Sequence, residues 1–292
     1  MVELGKDRRV KYFFIFPAVV YAALMVFAPI VYTLALSFCK WSMAGPAKIV
    51  FFTNYVKMFG TDRFINAVLR TIIFSAGALA LEMFLGTAIA LILNRDFTGK
   101  IVIQTLFLLP MVATPVSLGM VWMLIYEPSF GIANALLKTL GVINLPTWLG
   151  DAKTALLSIA IIDIWQWTPM ISLIVLAGLT SLPKEPLESA KVDGAKSWQT
   201  LFSITLPMVM PTIVVAGLLR LIDVLKTFDV IFATTQGGPV FGSETLNIYA
   251  YINAFQYFDM GYASALLVVF FIFVMTISIF YSKLRDKVSI DI

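Results

Sequence analysis

The sequence predicts an all-α polytopic membrane protein with six transmembrane helices. Its composition is 60% hydrophobic and 13% charged, with a mean hydropathy of +0.92, whereas about a quarter of the residues in a typical soluble domain are charged. Six apolar runs reach the length of about 20 residues that a helix needs to cross a bilayer. The runs are continuous rather than alternating, which argues against membrane β-strands.

The six runs divide the chain into spans and loops within a single membrane domain, residues 1–292. The first run follows a basic head, but it is too long for the apolar core of a signal peptide, so we expect it to be retained as a span. The expected spans are residues 12–38, 66–93, 101–125, 154–179, 206–232 and 261–281.

The Lys and Arg residues predict the orientation of the chain. The loops on the side of the two termini carry twelve of them, and the loops on the opposite side carry six. Because cytoplasmic loops are enriched in these residues, both termini are expected to be cytoplasmic. The net charge of +4 is explained by this topology, and we expect no nucleic-acid partner.

The reactive residue types exclude several classes of function. The chain has no histidine, and Cys39 is its only cysteine. It therefore lacks the residues for a disulfide framework, a Cys/His zinc site or a histidine general base. We expect no catalytic residue and no metal site, and a membrane-embedded enzyme is the weakest of the functional interpretations.

A polar stretch, residues 180–205, interrupts the apolar runs on the cytoplasmic side. Pro186 suits the first turn of a short helix, and Gly194 suits its end. A second short helix is expected in "AKSWQTLFSI", before Pro207 breaks it and begins the fifth span. The residues alone leave two interpretations open: an amphipathic loop on the membrane surface, or a docking element for a partner.

The spacing within this loop resembles a known motif, the EAA motif of permease subunits of binding-protein-dependent ABC importers. Every spacing of that motif matches, and Ser189 in place of an alanine is the one departure. The resemblance is to carbohydrate permeases of the maltose and glycerol-3-phosphate type. The matching positions are Glu188, Ser189, Ala190, Gly194, Ile204, Leu206 and Pro207, with further similar stretches at residues 106–116, 228–239, 245–255 and 261–265.

The resemblance implies that residues 180–205 are a cytoplasmic coupling-helix loop. In this family the motif forms two short helices that sit in a cleft of a cytoplasmic ATPase. Glu188 is then expected to bond a basic group of the ATPase, Ala190 to pack closely, and Gly194 to set the bend. Ser189 and Asp193 complete the expected ATPase-coupling set.

The resemblance also implies a bacterial inner-membrane location and several partners: a second homologous permease subunit in a heterodimer, two ATPase subunits and an extracytoplasmic solute-binding protein. This chain has no G-x-x-x-x-G-K-[ST] loop. ATP and Mg²⁺ are therefore expected on the ATPase subunits, and no cofactor on this chain. Of the external loops, residues 126–153 should contain a short amphipathic helix. Residues 233–260 should contain a turn and an aromatic-rich helix that meets the binding protein.

A candidate substrate pathway begins in the fourth span, where Asp163, Gln166, Trp167 and Met170 share one helical face. A carboxylate near the middle of the bilayer is costly unless it faces a cavity or a partner. Acid, amide and indole groups together suit a sugar, which needs directional hydrogen bonds and an apolar platform for its ring. The alternative is a polar packing contact.

The fifth span adds Arg220, Asp223, Lys226 and Thr227, which fall within one broad arc. The pairs Arg220/Asp223 and Asp223/Lys226 are three residues apart and opposite in charge, so each pair can neutralise itself. Asp223, Lys226 and Thr227 join the candidates for the substrate pathway, although a salt-bridge network at a subunit interface is an equal alternative. Asp229 is expected to project elsewhere.

The sequence therefore predicts the transmembrane subunit of an ATP-driven importer that moves a mono- or oligosaccharide, or a related polyol, by alternating access. The alternative is an ion-coupled secondary transporter that uses the intramembrane charges. In the second span, Arg70 and Glu82 are too far apart in sequence to pair along one helix. Glu82 is therefore expected to contact another span or the partner permease.

Overall fold

The computed structural model of the chain describes residues 8–43 and 45–290, with side chains from residue 12 to residue 283 within those ranges. The described residues are predominantly helical, which confirms the all-α fold class. Their strands are one short antiparallel pair, β1 (Cys39–Lys40) and β2 (Lys48–Ile49). The α-helices are α1 (Arg8–Ser37), α2 (Thr53–Phe59), α3 (Asp62–Leu93), α4 (Lys100–Val112), α5 (Pro115–Ile125), α6 (Ile132–Thr139), α7 (Ala155–Thr180), α8 (Glu185–Val192), α9 (Ser197–Thr200), α10 (Leu206–Leu225), α11 (Asp229–Thr234), α12 (Leu246–Phe255) and α13 (Met260–Ile290).

Contacts divide the described residues into two compact units. The first contains the residues up to Asp62 together with Ala250–Phe271, and the second contains Arg63–Tyr249 together with the residues from Ile272 onward. The helices α12 and α13 therefore each contribute to both units. The residues predicted for the substrate pathway and for ATPase coupling all belong to the second unit.

In the first unit, the end of α1 is tied to the segments around it. Asn54, in α2, donates from Nδ2 to the carbonyls of Ser37 at 2.8 Å and Cys39 at 2.9 Å. The N–H of Gly261, at the start of α13, donates to the carbonyl of Trp41 at 3.2 Å. A side chain at position 261 would collide with the carbonyl of Cys39, so the glycine lets α13 begin directly against β1.

Five helical stretches of the described chain are long and apolar enough to cross a bilayer. They overlap five of the six expected spans, although the stretch Ser197–Thr234 begins nine residues before the expected start of the fifth span. The remaining expected span, residues 101–125, is the pair α4 and α5, whose axes differ by 100°. Counting that pair as one broken span gives the six spans that the sequence predicts.

The break in the third span corrects the expectation of one unbroken helix there. Ala113 and Thr114 both have extended backbones, and the Thr114 side chain accepts a hydrogen bond from the Ser117 N–H at 3.4 Å. Pro115 occupies the first turn of α5. Because proline disfavours helical geometry in the residue before it and is favourable at a helix start, this sequence ends one helix and begins another.

The polar stretch after the fourth span forms the two expected short helices, α8 and α9. Pro186 lies in the first turn of α8, and Gly194 has a φ of +75°, the left-handed conformation that favours glycine. The expected end of the second helix is wrong. A π-helical turn, Leu201–Thr205, joins α9 directly to α10. Pro207 lies in the first turn of α10, just after a turn whose hydrogen-bond pattern already departs from the α-helix.

In the second unit, α3, α7 and α10 pack around an apolar core. Two glycines permit close approach of these helices. A Cβ atom added at Gly86 in α3 would lie 2.7 Å from a side-chain carbon of Ile171 in α7, and one added at Gly178 in α7 would lie 2.8 Å from Thr212 in α10. Such small residues are typical of helix contacts within membranes. The buried core residues are Ala90, Ile171, Val175, Leu179, Val209 and Ala216.

This close packing makes Gly178 sensitive to substitution. We expect Gly178→Val to lower the free energy of unfolding by about 1–3 kcal/mol, because the added side chain forces α7 away from α10. The matched control is Gly77→Val in α3, where an added Cβ would have no neighbour within 4 Å. Unfolding in mixed detergent micelles gives the free energy of unfolding of each variant. Equal losses in both would contradict the packing explanation.

The segments expected to be external contain the short helices that the sequence predicts, α6 and α12. The loop before α12 is fixed by Arg63, whose Nε and Nη2 donate to the Glu244 carboxylate at 2.8 and 2.6 Å. The Arg63 guanidinium also lies 4.0 Å from the ring centre of Phe241 and 4.9 Å from that of Tyr249. Glu244 is fully buried, so this ion pair anchors the loop from its inner side.

Candidate functional site

A cavity of about 350 Å³ with several charged side chains in its wall lies in the second unit, between α7, the start of α5 and the segment where α10 gives way to α11. Its volume is within the range of about 300–1,000 Å³ that is typical of small-molecule sites. All six side chains predicted for the substrate pathway line this one cavity: Asp163, Gln166, Trp167, Asp223, Lys226 and Thr227. Met170, expected on the same face, instead packs against the apolar core.

An ion cluster joins three spans beside the cavity, and two of its members, Asp163 and Arg220, line the cavity. Arg220 of α10 donates from Nε and Nη2 to the Glu82 carboxylate of α3 at 2.6 and 2.9 Å. The same Nη2 donates to Oδ2 of Asp163 in α7. All three side chains are almost completely buried. The cluster confirms that Glu82 contacts another span, and it gives Arg220 a different partner from the expected Asp223.

The cluster extends into the cavity through an aromatic ring. The Arg220 guanidinium lies 5.2 Å from the ring centre of Trp167, a distance at which cation and aromatic face attract. The indole is partly exposed and lines the cavity. A rigid apolar platform therefore stands beside hydrogen-bonding carboxylates, which is the combination that the fourth span predicts for a sugar.

The more open end of the cavity also carries charge. Lys226 pairs with Asp223 at 3.7 Å, and each side chain is about half exposed, which confirms the predicted i, i+3 pair. Asp229 lines the cavity as well. The expectation that Asp229 projects elsewhere is wrong, because it assumed helical periodicity through a segment where α10 ends at Leu225 and α11 begins afresh at Asp229.

Gln166 connects the cavity to the broken span. Its Nε2 donates to the carbonyl of Ala113 at 3.2 Å, one of the backbone groups freed by the break between α4 and α5. Its Oε1 is buried, and among the described residues it has no hydrogen-bond partner. A buried acceptor without a partner is costly, so a hydroxyl donor that reached this oxygen from the cavity would be favoured.

The coupling loop presents most of its predicted residues outward. Glu188, Ser189, Asp193 and Gly194 are exposed. Ala190 is buried, and its carbonyl accepts a hydrogen bond from the Ala195 N–H at 2.9 Å. Ala190 thus packs against its own chain and holds α8 against the turn that follows, while its expected packing against an ATPase stays a prediction.

Sequence reasoning alone did not identify the partners in the ion cluster or the role of Pro115, which also lines the cavity. The available signal was the presence of intramembrane charges of opposite sign on three separate spans, Glu82, Asp163 and Arg220. Such charges are expected to pair. Within the described part of the chain, no group of His, Cys, Asp or Glu residues is arranged to hold a metal ion.

Comparison with known proteins agrees with this architecture. Residues 82–289 match the family model described as "binding-protein-dependent transport system inner membrane component". A probable ABC transporter permease protein of Sinorhizobium fredii is 37% identical over 95% of this chain and 91% of its own. The trehalose/maltose transport system permease protein of Thermococcus litoralis is 32% identical over 95% of this chain and 94% of its own.

The fold is also similar to that of solved transporters. A chain of a bacterial alginate ABC transporter, in complex with a periplasmic protein bound to an alginate pentasaccharide, has a TM-score of 0.84. It is 23% identical, and the match covers 98% of both chains. The protein belongs to the family of inner membrane components of binding-protein-dependent transport systems, and it is a permease subunit of an ABC transporter rather than an enzyme.

Proposed function

We propose that the chain is the transmembrane subunit of an ATP-driven importer that moves a sugar, or a related polyol, by alternating access. The observation that carries the substrate class is the gathering of carboxylates, an amide, an indole and a hydroxyl around one cavity of about 350 Å³. Relatives whose names specify sugar transport, for trehalose and maltose and for sulfoquinovosyl glycerol, support it. A bound substrate would contact Asp163, Gln166 and Trp167 in the inner part of the cavity, and Asp223, Lys226 and Thr227 nearer the opening.

The intramembrane charges support this proposal over ion-coupled transport. The alternative required charged groups that are free to take up and release a coupling ion. Instead, Glu82, Asp163 and Arg220 satisfy one another, and Lys226 pairs with Asp223. Four of these five charged groups line the cavity, and Glu82 braces Arg220 from outside it.

The proposed partners follow from membership of the importer family. They are a second homologous permease in a heterodimer, two ATPase subunits that bind ATP and Mg²⁺, and an extracytoplasmic binding protein. The excess of Lys and Arg in the loops on one side supports cytoplasmic termini. That orientation puts the exposed carboxylate of Glu188 on the ATPase side, where it can form a charge-assisted hydrogen bond with a basic group.

The external segments would then face the binding protein. The segment between α11 and α12 exposes Val240 and Phe241, while Arg63 and Glu244 hold its base. A preformed surface of this kind lowers the entropic cost of association. We assign no cofactor to this chain, because the ATP that would drive transport binds to the ATPase subunits.

The coupling role can be tested with two variants in the assembled importer. Glu188→Gln removes the charge of the proposed bond, and Gly194→Ala strains the backbone at a φ of +75°. Loss of a charge-assisted bond of about 1.5–3 kcal/mol should reduce ATP-dependent uptake into proteoliposomes by about tenfold or more. The amount of ATPase that copurifies should also fall.

Glu185→Gln is the matched control, because Glu185 is an exposed glutamate in the first turn of the same helix. It should keep near-native uptake and ATPase content. Native behaviour of both Glu188→Gln and Gly194→Ala would contradict the coupling role. Uptake driven by an ion gradient in the absence of ATP would contradict the proposed energy source.

A further inference from the structure

More carboxylates than cations line the cavity. Three carboxylates line it, those of Asp163, Asp223 and Asp229, against the two cations Arg220 and Lys226. Lys226 lies 3.7 Å from Asp223, and Arg220 is bonded to Asp163. Each lining cation is therefore already matched by a lining carboxylate, and the wall has an excess of negative charge.

Glu82 adds a fourth carboxylate from outside the cavity. It is fully buried in α3, and both its oxygens accept hydrogen bonds from Arg220, at 2.6 and 2.9 Å. This bidentate contact occupies the guanidinium edge formed by Nε and Nη2. An arginine edge of this kind would otherwise be well suited to bind a carboxylate or phosphate group of a ligand.

We propose that Glu82 makes the cavity selective for uncharged sugars, by keeping Arg220 from binding an anionic group. The inference rests on the proposed function of the cavity as a sugar site. Glu82 acts as a positioning residue: it touches Arg220 rather than the ligand. Trp167 and the unpartnered Oε1 of Gln166 still offer a ring platform and a hydroxyl acceptor, neither of which requires charge on the sugar.

The physical basis is discrimination against the wrong ligand. A sugar that bears a carboxylate, sulfonate or phosphate would lose hydration on entering the cavity. It would find both cations engaged and would also meet the charge of Asp229. Like charges brought together in this way are an effective source of specificity. A neutral sugar avoids this repulsion and can donate its hydroxyl protons to the same carboxylates.

The test compares glucose with glucuronate, which differ only in the carboxylate that replaces the primary alcohol. Binding of each to the importer, assembled with its partner subunits in nanodiscs without the binding protein, is measured by ligand-observed NMR. The native importer should bind glucose more tightly than glucuronate. Glu82→Gln removes one of the two carboxylates on Arg220 and should shift the ratio of dissociation constants toward glucuronate by about tenfold.

Two further variants make the result specific. Asp223→Asn frees Lys226 at the half-exposed end, where folding is not at risk, and should shift the ratio in the same direction by a smaller factor. Glu185→Gln, an equal charge change in the exposed coupling loop, should leave the ratio unchanged. A native importer that binds glucuronate as well as glucose would overturn the inference. So would an unchanged ratio in both Glu82→Gln and Asp223→Asn.

These experiments distinguish a failure of the charge selectivity from a failure of the proposed function. Binding of neither sugar to any of the proteins would overturn the sugar cavity, and this inference with it, while the coupling-loop experiment would stand by itself. Loss of ATP-dependent uptake in Glu188→Gln together with equal binding of both sugars would support the importer and overturn only the charge selectivity.

Discussion

Arg220→Met is expected to lower the free energy of unfolding by about 3–5 kcal/mol, because it leaves two buried carboxylates without their cation. Methionine has a similar length, so the lost volume is small. In the native protein the guanidinium bonds Glu82 and Asp163 at once and links α3, α7 and α10. Unfolding of the purified subunit in mixed detergent micelles measures the loss.

The control for Arg220→Met removes all three charges together. In the triple variant Arg220→Met, Glu82→Gln and Asp163→Asn, no buried charge is left unpaired. Replacing a whole buried ion cluster with neutral groups is often close to neutral, so the triple variant should be more stable than Arg220→Met. A single variant that loses less than about 1 kcal/mol, or a triple variant that is no better, would contradict the charge explanation.

Trp167→Ala is expected to reduce transport by about tenfold, which corresponds to about 1.4 kcal/mol, while the importer still assembles. The indole is the only aromatic platform that the fourth span offers to the cavity, and it also contacts Arg220. Its removal takes away the surface against which a sugar ring would pack. Uptake by proteoliposomes gives the transport rate, and copurification of the partner subunits reports assembly.

Trp165→Ala is the matched control for this experiment. Trp165 lies on the same helix two residues earlier, but it is 45% exposed and packs edge-on against Trp122 at 5.6 Å rather than lining the cavity. Its loss should leave the transport rate within about twofold of native, as expected for a substitution away from the site. Equal effects of the two variants would contradict the assignment of Trp167.

Those features of the fold that depend on apolar length and on local motifs could be predicted from the sequence. The long runs gave the spans, and Gly194 and Pro186 gave the first coupling helix. The break in the third span was not predicted, although Thr114 and Pro115 carried a local signal for it. The run is apolar on both sides of the break, and hydropathy alone does not distinguish a straight helix from a bent pair of helices.

The part of the candidate site that lies on one regular helix could be predicted from the sequence. Helical spacing brought Asp163, Gln166 and Trp167 together correctly, and the structure adds the residues from the fifth span to the same cavity. The same periodicity misplaced Asp229, because the helix stops before it. The bond between Glu82 and Arg220 joins residues 138 positions apart, and no local pattern encodes such a long-range pairing.

The π-helical turn at Leu201–Thr205 sets the rotation of one end of a long helix relative to its other end. It makes one unbroken helical rod from Ser197 to Leu225, about 40 Å long at 1.5 Å per residue. A π turn holds one residue more than an α turn, and one residue corresponds to about 100° of rotation about the axis. That surplus residue therefore fixes the direction in which the coupling loop points relative to Arg220 and Asp223. Deleting it would leave both ends folded but turned out of alignment with each other.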